Sequence, residues 1–247
     1  AADSSLYVSI NNINDAPTLT ATTVTGATAG SGVAVNLFSA ASSSVGPTES
    51  DTLKALGMTV SGLADATNEK LTIDGTTFAL TNGTTGTTAT NSWAYSVSVS
   101  GTTATVTLTN AAGQTATALN TLVNGIQYAD VATTVTPGNR TVTLTSLQDS
   151  GGTANGGVDT ATLNIASTIN VIAAPVLATT STLAYTENGT AASINNVITV
   201  TDADSTTLAS ATVSISSGFV TGQDVLSFTN ISATMGNIAG TVSYTHL

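Results

Sequence analysis

The sequence predicts an all-β protein assembled from tandem β-sandwich modules. Three observations carry that prediction. Apolar residues recur at a period of two, Thr and Ser fill the alternate positions, and Gly- or Asn-containing turns interrupt the runs. In a strand every second side chain lies on one face, so each run has an apolar face and a hydroxyl face. Many short strands with frequent turns are the pattern of a sandwich.

Leu6–Ile10 is the first alternating run. Tyr95–Val99 and Ala104–Leu108 follow, then Val142–Leu144, Ala161–Ile165, Ile198–Val200 and Val213–Ile215. Asn82-Gly83, Asn124-Gly125, Gly151-Gly152 and Gly156-Gly157 read as turns between runs. One stretch departs from the period. Leu119, Leu122, Val123 and Ile126 stand at helical spacing and predict a short helix or turn across one end of a sandwich.

The chain also echoes itself. Asn14-Asp15-Ala16-Pro17-Thr18-Leu19 returns as Ile172-Ala173-Ala174-Pro175-Val176-Leu177. Glu49-Ser50-Asp51 precedes Met58-Thr59-Val60 much as Asp202-Ala203-Asp204 precedes Thr212-Val213-Ser214. Two echoes in one order predict a tandem array. Residues 1–15 are then the last strand of one module, 16–173 a complete module, and 174–247 the truncated start of another. A sandwich short of strands leaves an open edge and an uncovered apolar face, so the last part is expected to pack incompletely. The chain starts without Met and shows no signal peptide in residues 1–15, and it reads as an internal piece of something longer. The ending VSYTHL resembles a recurrent artefact of assembled metagenomic sequences, which would leave His246 without a role.

Composition excludes several function classes. Charged residues are 7% of the 247, against roughly 25% in an ordinary domain, so Thr, Ser, Asn and Gly must form the polar surface. Three basic residues, Lys54, Lys70 and Arg140, cannot neutralise a phosphate backbone, which excludes nucleic acid as a partner. With no cysteine there is no disulfide, zinc–thiolate site or Cys nucleophile. No apolar stretch approaches the ~20 residues of a membrane span. The net charge of −11 favours cations over anionic partners. A hydrophobic content of 41%, rich in β-branched residues, argues against disorder.

Acidic pairs are the constellation that could carry chemistry. Residues at i and i+2 of an extended segment point the same way, so Glu49 with Asp51, and Asp202 with Asp204, each project two carboxylates together. No basic residue lies near Asp202 and Asp204 in sequence. A divalent cation would relieve the repulsion, and Ca²⁺ takes six to eight oxygens. Asn12, Asn14 and Asp15 supply further oxygens just before Pro17, which stiffens the segment preceding it.

Asn12-Ile13-Asn14-Asp15-Ala16-Pro17 resembles the linker of cadherin repeats, D-x-N-D-N-x-P. Tyr185-Thr186-Glu187-Asn188 resembles their acidic E-N motif, and Thr201-Asp202-Ala203-Asp204-Ser205 their D-x-D motif. The chain is most similar to the cadherin-like and Ig-like tandem repeats of large bacterial surface and secreted adhesins. Segments such as ENGTA, ITVTDADSTTLASATVSIS, GQDVLSFTN, NGIQYAD, GNRTVTLTSLQDSGG and NDAP carry that likeness over all but the last few residues. The resemblance implies cadherin-like/Ig-like modules with calcium at their junctions. Its ligands would be Asn14, Asp15, Glu49 and Asp51 at the first junction, and Glu187, Asp202 and Asp204 at the second. The chain departs from the family at both. Asn12 and Ala16 replace linker residues, residues 18–35 hold no counterpart of Glu187, and the second linker, Asn170–Pro175, has no carboxylate. Bound Ca²⁺ and solvated loop carboxylates both remain open readings of these residues.

Other features point less far. The stretch from Asp149-Ser150-Gly151-Gly152 to Gly156-Gly157-Val158-Asp159 reads as a Gly-rich hairpin turn in preference to a cation loop. Asn82, Asn139, Asn188 and Asn230 begin N-x-S/T sequons, which arise easily in a Thr-rich chain. Trp93, Tyr95 and Tyr128 read as core aromatics in preference to a sugar-stacking face. Asp130 and Asp224 have the chemistry of a glycosidase pair but no cleft to mark them. No enzymatic activity is expected. The expected function is structural and adhesive: a calcium-stiffened stalk of a bacterial extracellular protein, making adhesion or biofilm contacts with self, a host surface or matrix glycans. The alternatives are a carbohydrate-binding or spacer module of a large secreted hydrolase, or an S-layer or matrix component.

Overall fold

A computed structural model describes residues 12–179, 182–195, 197–231 and 233. The protein is all-β, and its chain divides into two compact units, residues 1–206 and 207–247. The strand expected at Leu6–Ile10 and the VSYTHL ending lie outside the described residues. No helix among the described residues is long and apolar enough to cross a membrane.

The first unit opens with β1 (Thr18–Thr23), β2 (Thr25–Ala29), β3 (Val35–Asn36), β4 (Phe38–Ser44) and β5 (Leu53–Ser61). The short strands β6 (Glu69–Ile73), β7 (Thr76–Ala79) and β8 (Thr85–Thr87) follow, then β9 (Ala94–Ser100) and β10 (Thr103–Gln114). The expected helix is present as α1 (Ala116–Asn124), which turns Leu119, Leu122 and Val123 inward. Thr115 caps its first turn by accepting from the Ala118 amide, relieving one orphan donor. Next come β11 (Gln127–Asp130), β12 (Gly138–Asp149) and β13 (Thr160–Val171), and then the isolated pair β14 (Val176–Ala178) and β15 (Thr199–Thr201).

Seven strands form one sheet in the order β2-β13-β12-β5-β10-β9-β8, and four form another in the order β3-β11-β6-β7. Every pairing in these two sheets is antiparallel except β2 with β13, which is parallel. One buried core joins the sheets. Leu56, Met58 and Val60 of β5, Val106 and Leu108 of β10, and Val142 and Leu144 of β12 share it with Leu71, Ile73, Phe78 and Tyr128 of the smaller sheet. Each such side chain contributes about 1.5–3 kcal/mol on burial.

A bulge in β12 changes which side chains reach the interior. Val142 and Leu144 face inward, but the register against β5 slips between Leu144 and Ser146. The extra residue shifts the phase, so Leu147 and Asp149 are the next inward side chains. Gly57 makes room for the bulge, since a Cβ there would lie 2.4 Å from the Ser146 Oγ.

Beyond Val171 the packing thins. Val176, Leu177, Tyr185, Ile198 and Val200 are all exposed, as are Val213, Val225 and Phe228 in the second unit. The run Val213–Ile215 forms no strand, contrary to its alternation, because no described segment pairs with its backbone. Alternation gives a strand its faces, but a neighbour must supply its hydrogen bonds.

Candidate functional site

The oxygen-rich end of the first unit is built from three chain segments. The segment before Pro17 crosses the β12–β13 connection, and the loop between β4 and β5 closes against it. Asn14 is the pivot. Its Nδ2 donates to Asp149 Oδ1 (3.1 Å), Gly152 O (3.2 Å) and Val158 O (2.9 Å), and its own carbonyl accepts from the Val158 amide at 2.9 Å. The neighbouring Asp15 amide donates to Glu49 Oε1 at 2.8 Å. Ser150 Oγ donates to Asp51 Oδ1 at 3.0 Å and accepts from the Thr52 amide at 3.0 Å, tying the two loops together. Asp159 Oδ2 accepts from Gln148 at 3.1 Å. Glycine is required where Asn14 crosses, because a Cβ on Gly151 would fall 2.0 Å from the Asn14 Oδ1.

Asn14, Asp15, Glu49 and Asp51 are thus gathered at one hydrogen-bonded end of the unit, with Asp149 and Asp159 beside them. The arrangement has more acceptors than donors. Asn14 Oδ1, Glu49 Oε2 and Asp149 Oδ2 are buried with no hydrogen-bond partner. Asp149 is only 2% exposed, and burial pushes its carboxyl up. The Gly151 amide and Asn14 oppose that push, while the charges of Asp51 and Asp159 add to it. Buried acceptors without donors cost of order 1–3 kcal/mol each, and a hard cation is the group that would satisfy several at once. Among the described residues, no three Asp, Glu, His or Cys side chains converge closely enough to hold a metal. Of the three unpartnered acceptors, one is the amide oxygen of Asn14 and two are carboxylate oxygens.

The sequence pattern placed Asp149 in a plain turn. No sequence signal marks it, because its inward placement follows from the change of phase at the bulge in β12.

The second acidic pair is more open. Asp202 and Asp204 follow β15, and Asp202 Oδ1 accepts from the amides of Asp204 and Ser205, both at 3.2 Å. Those bonds, led by the Asp204 amide, hold the Asp202 carboxyl below the usual range, while its interaction with Asp202 raises that of Asp204. Asp204 Oδ1 accepts from the Ala173 amide at 3.3 Å, which places this pair against the linker before Pro175. Glu187 lies in an exposed turn, and among the described residues no hydrogen bond connects it to Asp202 or Asp204.

The remaining candidates resolve simply. Trp93 and Tyr128 are fully buried, and Tyr95 stacks on Phe78 with ring centroids 4.2 Å apart. Asp130 and Asp224 belong to different compact units.

A buried polar network that the sequence did not disclose lies where β6 meets β11. Glu69 Oε1 accepts from Tyr128 OH (2.8 Å) and from Arg140 Nε, and Oε2 accepts from the amides of Ala64 (2.8 Å) and Asp65 (3.1 Å). Arg140 also donates to Thr136 O (3.0 Å) and Gly138 O (3.3 Å). No family model, no curated protein and no solved structure matches the chain.

Proposed function

We propose that the chain is a repeat segment of a bacterial extracellular protein, in which cadherin-like or Ig-like β-sandwich modules are joined end to end as a stalk for adhesive or biofilm contacts. The observation that carries this reading is the course of the chain through the first unit. Asn14 is bonded beside Val158, next to the start of β13, and β2 then runs parallel to β13 to pair Ala29 with Val171. Entry and exit therefore lie at opposite ends of β13, and each end carries an acidic pair. A module with that path can be strung into a rod.

Calcium ions at the ends would stiffen such a rod. At the first end Asn14 Oδ1, Glu49 Oε2 and Asp149 Oδ2 would supply oxygens, with Asp15, Asp51 and Asp159 adding charge. At the second, Asp202 and Asp204 would act beside the linker, with Glu187 drawn in. The cation would replace repulsion among carboxylates with shared coordination, holding the segment before Pro17 against the β12–β13 connection. This is spatial and mechanical work, with no reaction catalysed.

Titration calorimetry with CaCl₂ tests it. Heat is expected with a Kd of about 10⁻⁴–10⁻³ M, the range of extracellular modules. At ten times that concentration the module should gain about 1.4 kcal/mol of stability. Asp149→Asn should weaken binding and remove most of that gain. Absence of heat, together with a melting temperature indifferent to Ca²⁺ and chelator, would sink the proposal.

A further inference from the structure

We propose that Asp130 and Asp65 share one proton at the end of the smaller sheet, and that this proton is a pH-sensitive latch on the loop of residues 131–137. Strand register brings the acidic groups together. Asp130 stands directly opposite Glu69 in the antiparallel β11–β6 pair, and both are fully buried. Like charges directly opposite in a sheet are destabilising. Asp65, Glu69 and Asp130 contribute three carboxyl groups here, with Tyr128 between strands and Arg140 arriving from β12. Arg140 is the one cation bonded to the cluster among the described residues, so full ionisation would bury a net charge of two negatives.

The donors are unevenly shared. Glu69 accepts four hydrogen bonds, including the Arg140 guanidinium and the Tyr128 hydroxyl. Asp65 accepts from both the amide and the hydroxyl of Thr136, and Arg140 stands 3.8 Å from its Oδ2. Asp130 accepts only from the Ala132 amide, at 3.0 Å, and its buried Oδ2 receives no donor. The proton belongs on the carboxyl with the fewest donors. Placed on Asp130 and shared with Asp65, its side-chain partner, it satisfies the orphan oxygen and removes one of the two excess negative charges. Burial first, then Asp65 and Glu69, raise the Asp130 pKa to about 6 against the pull of the Ala132 amide. Burial also works to raise Asp65, but Thr136, Asp130 and Arg140 outweigh it and hold that carboxyl below its ordinary value.

The loop hangs on this pair. Thr136 is bonded to Asp65, Ala132 to Asp130, and the Val131 amide to Asn68 O at 3.0 Å. A proton that draws the two carboxyls together closes the loop over the sheet end; its loss pushes them apart. Linkage sets the sign. The folded Asp130 holds its proton about a hundredfold more tightly than an ordinary Asp, so the latch is fully stabilising below about pH 4 and is lost as pH rises through about 6. Asp65 acts oppositely, its contribution falling away only below the ordinary Asp range.

The test is an NMR titration of the assigned Asp130 side-chain carboxyl in the whole chain, with chelator throughout to silence any cation effect. A midpoint near pH 6 is expected, and a midpoint below about 5 would overturn the proposal. Hydrogen exchange, corrected for intrinsic rates, should show residues 131–137 better protected at about pH 5 than at about pH 7.5. Asp130→Asn, a permanent donor to Asp65, should give equal protection at both. Protection in the variant that still follows pH as in the wild type would also overturn it.

Discussion

Arg140→Ala is expected to lower the unfolding free energy by about 3–5 kcal/mol, the cost of leaving a buried charge without its partner. Arg140 is 2% exposed and Glu69 fully buried, so the pair is shielded from bulk water in the folded protein. Glu69 would keep the Tyr128 hydroxyl and two amides but face Asp130 with no compensating cation. At roughly 2–4 °C per kcal/mol for a domain of this size, the midpoint should fall by roughly 6–20 °C. The single tryptophan, Trp93, lies in the same unit and reports the transition by fluorescence. The double variant Glu69→Leu with Arg140→Met should recover much of the loss, because it removes both buried charges at once. A cost under about 1 kcal/mol for Arg140→Ala would show that the network is solvated and not buried.

Trp93→Ala should cost a further large amount, about 3–5 kcal/mol, as a cavity in the core. Trp93 is fully buried and anchored at its backbone: its amide donates to Thr88 Oγ1 at 2.9 Å, and its carbonyl accepts from the Thr88 amide at 2.8 Å. Thr88 in turn donates to Asp74 Oδ2 at 2.7 Å, so the turn before β9 is tied to the Trp93 backbone. Chemical denaturation followed by far-UV circular dichroism measures the loss. Trp93→Phe should cost much less, since the indole Nε1 has no partner to lose. A glycan-binding role at this residue would instead show as lost binding in a variant of unchanged stability, and that result would contradict the buried placement.

Sequence alternation disclosed some of the strands that build the larger sheet. β9, β10, β12 and β13 all contain the runs that the period of two marks out, and the helical spacing of Leu119, Leu122 and Val123 became α1. Alternation missed β5 and β6, although Leu56, Met58, Val60, Leu71 and Ile73 point inward there, and it missed strands poor in large apolar residues. β1, β2 and β4 read TLTATT, TGATA and FSAASSS, and they hold their places mainly by backbone pairing, which leaves little trace in composition. Val213–Ile215 shows the converse, a good alternation without a partner among the described residues.

The candidate site divides in the same way. Asn14, Asp15, Glu49 and Asp51 could be grouped from motif order, since linker and acidic pair recur together. Asp149 could not, because its burial depends on the bulge between Leu144 and Ser146. Glu69, Asp130 and Arg140 were hidden more deeply. Their meeting is a matter of register between β6 and β11, and a shift of one residue would turn Asp130 to the other face.

The parallel pairing of β2 with β13 has a mechanical consequence. Strand β2 follows β1 from the side on which the chain enters the unit, β13 leads to the side on which it leaves, and the two run in the same direction. Tension drawn between the two ends would pull these neighbours in opposite senses along their common axis. The bonds from Thr25–Thr168 to Ala29–Val171 would then be loaded together in shear, not opened one at a time like a zipper. Single-molecule stretching of the first unit should find one abrupt rupture in place of a gradual peel.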